Sequence, residues 1–388
     1  MKRIDFNQII ERGSELSFYN KLAKDLVSFL EINNRGTFKT IIRFSGGSDR
    51  RTLRLLNEMI RLNLISYRNG YFFIKKPIMH YPIFGVELLC KECGGKLVSN
   101  GTKPYADLKE FFKKIGKIRP RPTFIFDQRP VTAETTINRA LYTAWRGDIQ
   151  SKRIAIIGDD DLTSLAIGFL GLAKEIVVFE IDERLNKFIK ETSRRYKSKI
   201  KTPIKVVSQD ISKNLPKKFI HKFDMFMTDP TPSPLPFSAF VNAGIEMLKK
   251  GEGKVGYLSL YPSHSLKMIS FQKKLTAMNL LITDSIPFFT EYAAVPETFS
   301  PSDKRLLKRF SASKTNTSFF ESLLRVESTK TTKSITLGGK SANFLGEATK
   351  RVLKDISKDP AVKSESKARL YLLEEAKRLQ RKRQSPGY

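Results

Sequence analysis

The chain has 388 residues, 40% of them hydrophobic, and carries 70 Lys/Arg against 39 Asp/Glu for a net charge of +31. That length has room for two or three domains with a buried core. No run reaches the roughly 18 apolar residues of a membrane helix, and two cysteines argue against a disulfide framework. The charge points to a polyanion partner, RNA or DNA, or to the lysine-rich composition of a thermophile protein. Met1-Lys-Arg-Ile-Asp-Phe6 lacks the apolar stretch of a secretory signal, so a cytoplasmic protein without a membrane partner is expected.

Residues 1–75 read as helices followed by a hairpin. Glu15–Leu30 has apolar residues at helical spacing. Phe38–Phe44 follows as an apolar segment, then Ser45-Gly-Gly-Ser48 as a turn. Asp49–Leu62 is a second amphipathic helix capped by Ser48 or Asp49. Leu64–Arg68 and Tyr71–Ile74 flank Asn69-Gly70, a hairpin turn. This order resembles a winged-helix domain, in which Asp49–Leu62 would enter DNA. A recruitment or dimerisation module is the competing reading.

Residues 76–125 read as a connector. Cys90-Lys-Glu-Cys93 has metal-knuckle spacing, but four ligands are needed and there is no second cysteine pair. No metal is expected within one chain; a half-site shared across a homodimer or a relic is the alternative. Lys103–Arg121 is basic with interleaved aromatics, suited to RNA or to a solvated helix face.

From residue 126 the pattern is α/β. Strands are expected at Arg153–Ile157, Glu175–Asp182, Ile204–Asp210, Phe223–Asp229 and Lys254–Leu260, with helices at Leu162–Leu172, Glu183–Tyr196 and Phe237–Lys249. The alternation predicts a Rossmann-like, doubly wound parallel sheet over 126–327, with ligands at the carboxyl ends of the strands. Residues 328–388 form a basic extension: from 301 onward there are 21 Lys/Arg against 9 Asp/Glu. Its helical pattern ends in Lys377, Arg378, Arg381, Lys382 and Arg383, suited to a nucleic-acid arm.

Every early strand ends in acid: Gly158 then Asp159, Asp160 and Asp161; Glu180 and Asp182; Asp210; and Asp229-Pro230. An acid after the second strand commonly accepts from ribose hydroxyls, and Asp210 is placed to accept from an adenine amino group. Each acid taken alone is a weak signal, since Asp often caps the next helix, and Asp160 and Asp161 could equally do only that. Three aspartates would repel a phosphate. The ligand they suit is a nucleoside with positive charge and no phosphate: a sulfonium nucleoside, decarboxylated so that it ends in an ammonium. Aminopropyl transfer joins such a donor to a polyamine, with a carboxylate taking the proton of the attacking amine.

Four stretches carry a family resemblance: Phe126–Thr135, Ile157–Ser164, Phe179–Leu185 and Lys222–Pro230. They resemble the archaeal and thermophile branched-chain polyamine synthases, the N4-bis(aminopropyl)spermidine synthases. The likeness covers roughly residues 1–327. It implies a winged-helix-like domain before a domain of the class I methyltransferase and aminopropyltransferase type. It also implies decarboxylated S-adenosylmethionine as co-substrate and spermidine or a related polyamine as acceptor. By the same resemblance, Asp127, Gln128 and Glu134 lie on the substrate side, with Glu291 and Tyr292. Asp159 contacts the donor. Glu180 and Asp182 hold the nucleoside, with Asp210 at the adenine, and Asp229 lies near the reacting amines.

Two features depart from the family. Its Asp-Pro-Pro-Glu after the fourth strand is here Asp229-Pro-Thr-Pro-Ser-Pro-Leu-Pro236, which loses an acid and stiffens the loop. Its C-terminus tends to be acidic, whereas this one is basic. The alternatives are a non-catalytic or moonlighting RNA- or ribosome-binding relative, and a nucleic-acid methyltransferase on the same fold.

Overall fold

The computed structural model describes residues 16–45, 48–75, 93, 95–123, 126, 128–231, 233–261, 265–294, 301–310 and 317–336. Asp127, Cys90 and the tail with Lys377, Arg378, Arg381, Lys382 and Arg383 lie outside them. None of the helices among the described residues is long and apolar enough to cross a membrane.

Three helices open the chain: α1 (Leu16–Asn33), α2 (Phe38–Ser45) and α3 (Asp49–Arg61). The segment read as merely apolar is thus a helix. Thr37 Oγ1 accepts from the Thr40 N–H at 3.2 Å, and Phe38, Ile41 and Ile42 recur at helical spacing on the buried side. Strands β1 (Ile65–Arg68) and β2 (Tyr71–Ile74) pair antiparallel through Asn69 and Gly70, both at positive φ. Leu26, Leu30, Ile41, Leu53 and Phe72 form the core of this unit, joined by Phe310 and Phe320 from the far end of the chain.

Helix α4 (Lys103–Ile115) lies within the expected connector. Its aromatics do not meet solvent: Tyr105, Phe111 and Phe112 are buried beside Leu108 and Ile115, in the same cluster as the central strands. The lysines hold the opposite face, as amphipathicity requires. Helix α5 (Ala133–Trp145) follows, capped by Thr132, whose Oγ1 accepts from the Thr135 N–H at 3.3 Å.

Every strand expected from the pattern is present: β3 (Arg153–Ile157), β4 (Glu175–Glu180), β5 (Ile204–Ser208), β6 (Met225–Thr228) and β7 (Val255–Leu260). The intervening helices are α6 (Thr163–Leu170), α7 (Glu183–Arg195) and α8 (Pro234–Met247). The proline run after β6 is partly the first turn of α8, where a missing N–H costs nothing. Helix α9 (Ser265–Ala277), strand β8 (Leu280–Ala293), helix α10 (Pro301–Arg309) and strand β9 (Thr317–Ser328) complete the order.

The seven strands run β5-β4-β3-β6-β7-β9-β8. The first five are parallel, and β9 is antiparallel to both its neighbours. Strand β3 reads as a continuous apolar run because it is covered on both faces. Ile154 and Ile156 join the layer of α4 to α7, while Ala155 and Ile157 join that of α8 and α9. The order reverses at β3, so its carboxyl end opens on a crevice between β4 and β6.

The Phe226 ring fixes the packing of β6 between Gly244 of α8 and Gly256 of β7. A Cβ on Gly256 would lie 2.5 Å from the ring. Gly256→Ala is expected to cost about 1–3 kcal/mol through overpacking, read as a lower urea midpoint.

Candidate active site

Five residues, Gly158 to Leu162, turn the chain from β3 into α6. Gly158 sits at φ 72 and Leu162, buried, at φ 58. The left-handed leucine is strained backbone held by its surroundings. Leu162 N–H donates to the Asp159 carbonyl at 3.0 Å, closing the turn. The Asp159 carboxylate then folds onto the start of α6. It accepts from the Ser164 N–H at 3.2 and 3.3 Å and from the Ser164 hydroxyl. A helix N-terminus here would ordinarily be an anion site. Asp159 fills it with the protein's own carboxyl. Burial raises that carboxyl to about 8, against the pull of the Ser164 hydrogen bonds.

Asp160 is the member of the triplet that reaches the crevice, lining a cavity of about 700 Å³. Among the described residues nothing hydrogen-bonds its carboxyl. Burial and then the charge of Asp161 push it well above the carboxylate range. Asp161 points the other way. It accepts from the Val131 N–H at 3.0 Å and from Arg139 Nη1 at 2.6 Å.

Arg139 is the hub of the site. It is 3% exposed, and its Nη2 donates to Asp229 at 2.6 Å, Ser259 Oγ at 2.7 Å and Thr290 Oγ1 at 3.2 Å. One guanidinium thus joins the ends of β3, β6, β7 and β8. Burial opposes its charge, but Asp229 and Asp161 raise its affinity for the proton. Asp229 in turn accepts from the Tyr292 hydroxyl at 2.6 Å, and that hydroxyl lies 3.0 Å from Glu321. Burial lifts Asp229 to about 6, with Arg139 pulling it down.

On the β4 side the two acids part. Glu180 lines the cavity and accepts from the N–H groups of Asp159 at 2.8 Å and Asp182 at 2.9 Å. Asp182 caps α7 instead: it accepts from the Arg184 N–H, the Arg184 guanidinium and Gln128 Nε2. Burial works against its ionisation, but those bonds outweigh it and hold the carboxyl below its usual range. Asp210 reaches the cavity and is steadied by Ser212. Gly158, Gln128, Asp229 and Tyr292 also line it.

Two expected substrate residues stand elsewhere. Glu134 is exposed in the first turn of α5. Glu291 is buried on the far side of β8, where its carboxyl accepts from Lys39 at 2.6 Å and from Thr317. Its backbone has a different task. Thr132 N–H donates to its carbonyl at 2.8 Å, which seats the start of α5 and therefore Arg139. Lys96 faces Glu291 at 3.9 Å, and burial lowers it to about 8.

The sequence pattern passed over Arg139, Ser259, Thr290, Glu321 and the wall built by α3. Arg139 had a signal: an arginine on the apolar face of Ala133–Trp145. Glu321 had a similar one, an acid inside the strand Thr317–Ser328. The α3 wall had none. Asp49 accepts from Ser318 Oγ at 2.8 Å, Arg54 pairs with Asp303 at 2.8 Å, and both line the cavity with Arg50 and Arg51. Tyr261, Phe319 and Tyr292 close the same end, with Phe319 and Tyr292 stacked at 4.3 Å. Among the described residues no cluster of three or more His, Cys, Asp or Glu is arranged for a metal.

The family described as branched-chain polyamine synthase A C-terminal domain matches residues 107–344. The chain is 36% identical over 294 residues to a protein of Methanocaldococcus jannaschii named N(4)-bis(aminopropyl)spermidine synthase, covering 73% of this chain and 81% of that one. It is 33% identical over 298 residues to a protein of the same name from Thermococcus kodakarensis, covering 74% and 82%. A crystal structure of the Thermus thermophilus branched-chain polyamine synthase, in complex with N4-aminopropylspermidine and 5'-methylthioadenosine, superposes with a TM-score of 0.66 at 24% identity. It covers 89% of this chain and 99% of that one, and the likeness shows the fold.

Two outcomes follow from the buried charges. Arg139→Met leaves Asp161 and Asp229 buried without a counter-charge and should cost about 3–5 kcal/mol in chemical denaturation. Asp159 takes its proton more tightly folded than unfolded, so its contribution is whole below about 3.8 and is lost as pH rises through about 8. Asp159→Asn should remove that part of the slope, so the difference in unfolding free energy between the two proteins should shift in favour of the variant towards pH 9.

Proposed function

We propose that this chain, which belongs to the branched-chain polyamine synthase family, transfers aminopropyl groups from decarboxylated S-adenosylmethionine to the secondary amine of spermidine. The observation that carries the reading is the self-capped helix after β3. With Asp159 seated on the α6 N-terminus, the crevice offers no anion site there and presents Asp160 instead. A donor with a carboxylate would meet a carboxyl at that point. A donor ending in an ammonium meets a partner. This disfavours a methyltransferase reading.

The nucleoside lies on the β4–β5 side in this reading, with Glu180 at the ribose and Asp210 accepting from the adenine amino group. Asp160 holds the aminopropyl ammonium. The acceptor lies towards Asp229, Tyr292 and the aromatic corner of Tyr261 and Phe319, where ring faces suit a cation. The acceptor ammonium first gives up a proton to a carboxylate. Its lone pair then attacks the carbon beside the sulfonium. The C–S bond breaks, its electron pair stays on sulfur, and methylthioadenosine leaves neutral. Holding two cations in line is what the acid floor supplies.

The N-terminal helices and hairpin fit the element order of a winged helix. Their use is different in our reading. The start of α3, which would meet base edges in such a domain, lines the cavity and is bonded to β9 through Asp49. We take residues 16–75 as a wall of the acceptor site. A nucleic-acid role for the basic tail, and a homodimer, are separate proposals.

Incubation of the pure protein with decarboxylated S-adenosylmethionine and spermidine should release methylthioadenosine, with a mass gain of aminopropyl units on the central nitrogen. Asp160→Asn should lower kcat/KM for the donor roughly tenfold to a hundredfold, the worth of a charged hydrogen bond. Methyl transfer from intact S-adenosylmethionine, without methylthioadenosine, would overturn the reading.

A further inference from the structure

Three groups that line the cavity, Asp229, Tyr292 and Glu321, share too few protons for two independent carboxylates. The Tyr292 hydroxyl has one hydrogen, yet its oxygen stands 2.6 Å from Asp229 Oδ1 and 3.0 Å from Glu321 Oε2. It can donate to one of them only. Were both carboxylates ionised, the other contact would set two oxygens face to face with no hydrogen between them. A second proton in the chain gives each contact its own hydrogen, and two arrangements place it. Glu321 donates to the Tyr292 oxygen while Tyr292 donates to Asp229, leaving the charge on Asp229. Alternatively, Asp229 donates to Tyr292 and Tyr292 to Glu321, leaving the charge on Glu321. Both carboxyls line the cavity.

The surroundings favour the first arrangement at rest. Arg139 Nη2 donates to Asp229 Oδ2 at 2.6 Å, so a charge there has its counter-ion. Among the described residues Glu321 has no such counter-ion at hydrogen-bond distance: burial and the Asp229 carboxylate raise it well above the usual range, with Tyr292 and Arg139 pulling it down and Asp161 adding to the rise. Tyr261 faces Glu321 from the end of β7, itself under the fields of Arg51 and Asp49 from α3 and of Arg129. Tyr292 is locked by its stack on Phe319.

We propose that Asp229, Tyr292 and Glu321 act as one base with two ends, sharing a single negative charge through the tyrosine hydroxyl, and that the acceptor amine gives its proton to this chain. The inference rests on the aminopropyl-transfer reading for the identity of the amine. The acceptor N–H⁺ bond breaks and the proton bonds to whichever carboxylate holds the charge, so the chain becomes neutral. The freed lone pair attacks the donor carbon, and the C–S electrons leave with methylthioadenosine. The proton then passes to solvent through the open cavity, and the charge returns to the chain. Tyr292 is a positioning residue here; Asp229 and Glu321 are the ends that meet the amine.

The test measures kcat and kcat/KM against pH for the full chain and for Glu321→Gln, Tyr292→Phe and the double variant, each checked by thermal unfolding. Each single change should lower kcat by roughly tenfold to a hundredfold, the lower part of what a positioned base contributes. Glu321→Gln should also move the acid limb to higher pH, because the charge is then confined to Asp229 and is no longer stabilised by a protonated Glu321 acting through Tyr292. The double variant should be no worse than the worse single one. An unchanged limb in Glu321→Gln, or losses that multiply in the double variant, would overturn the proposal.

A second measurement does not need turnover. Infrared spectra of protein carrying ¹³C-carboxyl glutamate should show a protonated carboxylic-acid band near neutral pH. The band should vanish in Glu321→Gln and shift in Tyr292→Phe. If the parent protein releases no methylthioadenosine, the functional reading fails and the amine is no longer the proton source. The infrared band then decides the shared charge by itself, and its absence in the parent protein removes it.

Discussion

The site depends on one buried cation. Arg139 holds Asp161 and Asp229, and with them the ends of β3 and β6 on either side of the topological switch. Its bonds to Ser259 and Thr290 extend the hold to β7 and β8. A charge so deeply buried is tolerable only when paired and hydrogen-bonded. The pairing also sets roles among the acids. Asp161 is spent on the guanidinium, Asp229 is oriented by it, and Asp160 is left to face the cavity.

The second constraint is the helix start after β3. In a phosphate-binding site the N–H groups there point at the ligand. Here the turn, with Leu162 in the left-handed region, swings Asp159 back onto Ser164. The same geometry that would bind an anion is satisfied internally. The floor of the crevice changes sign while the fold stays the same. That is how one architecture serves a phosphate in one protein and a cation in another.

The charge of the chain and the charge of its site are opposed. The sequence carries +31, yet Asp160, Glu180, Asp210, Asp229 and Glu321 all line one cavity. Exposed lysines act on a cation over about a Debye length, roughly 8–10 Å at physiological salt. The acids act at contact, in a site walled by Phe179, Tyr261 and Phe319. Arg50, Arg51 and Arg54 of α3 also line the cavity, so the N-terminal unit contributes to its electrostatics. Lys39 of α2 reaching Glu291 and Asp49 of α3 reaching Ser318 tie that unit to the sheet.

The sequence by itself determined the parallel sheet, because apolar runs such as Arg153–Ile157 and alternating helical periods are local signals. It also determined that acids stand at the strand ends, because strand ends are legible from the same runs. It missed α2 and the β8–β9 pair. Phe38–Ser45 spans only eight residues, and β8 is broken by register shifts between Ile282 and Asp284 and between Ile286 and Thr290. Which acids face the ligand was not local information. Asp159, Asp160 and Asp161 are consecutive, and only the turn into α6 and the arrival of Arg139 from α5 send them to three destinations. Asp182 became a helix cap, as any Asp before a helix can. Glu321 entered the cavity because β9 is inserted between β7 and β8. Tertiary structure decided these points because a carboxyl's role follows from its nearest donor, and here Arg139, Tyr292 and Ser318 are separated in sequence from the acids they meet.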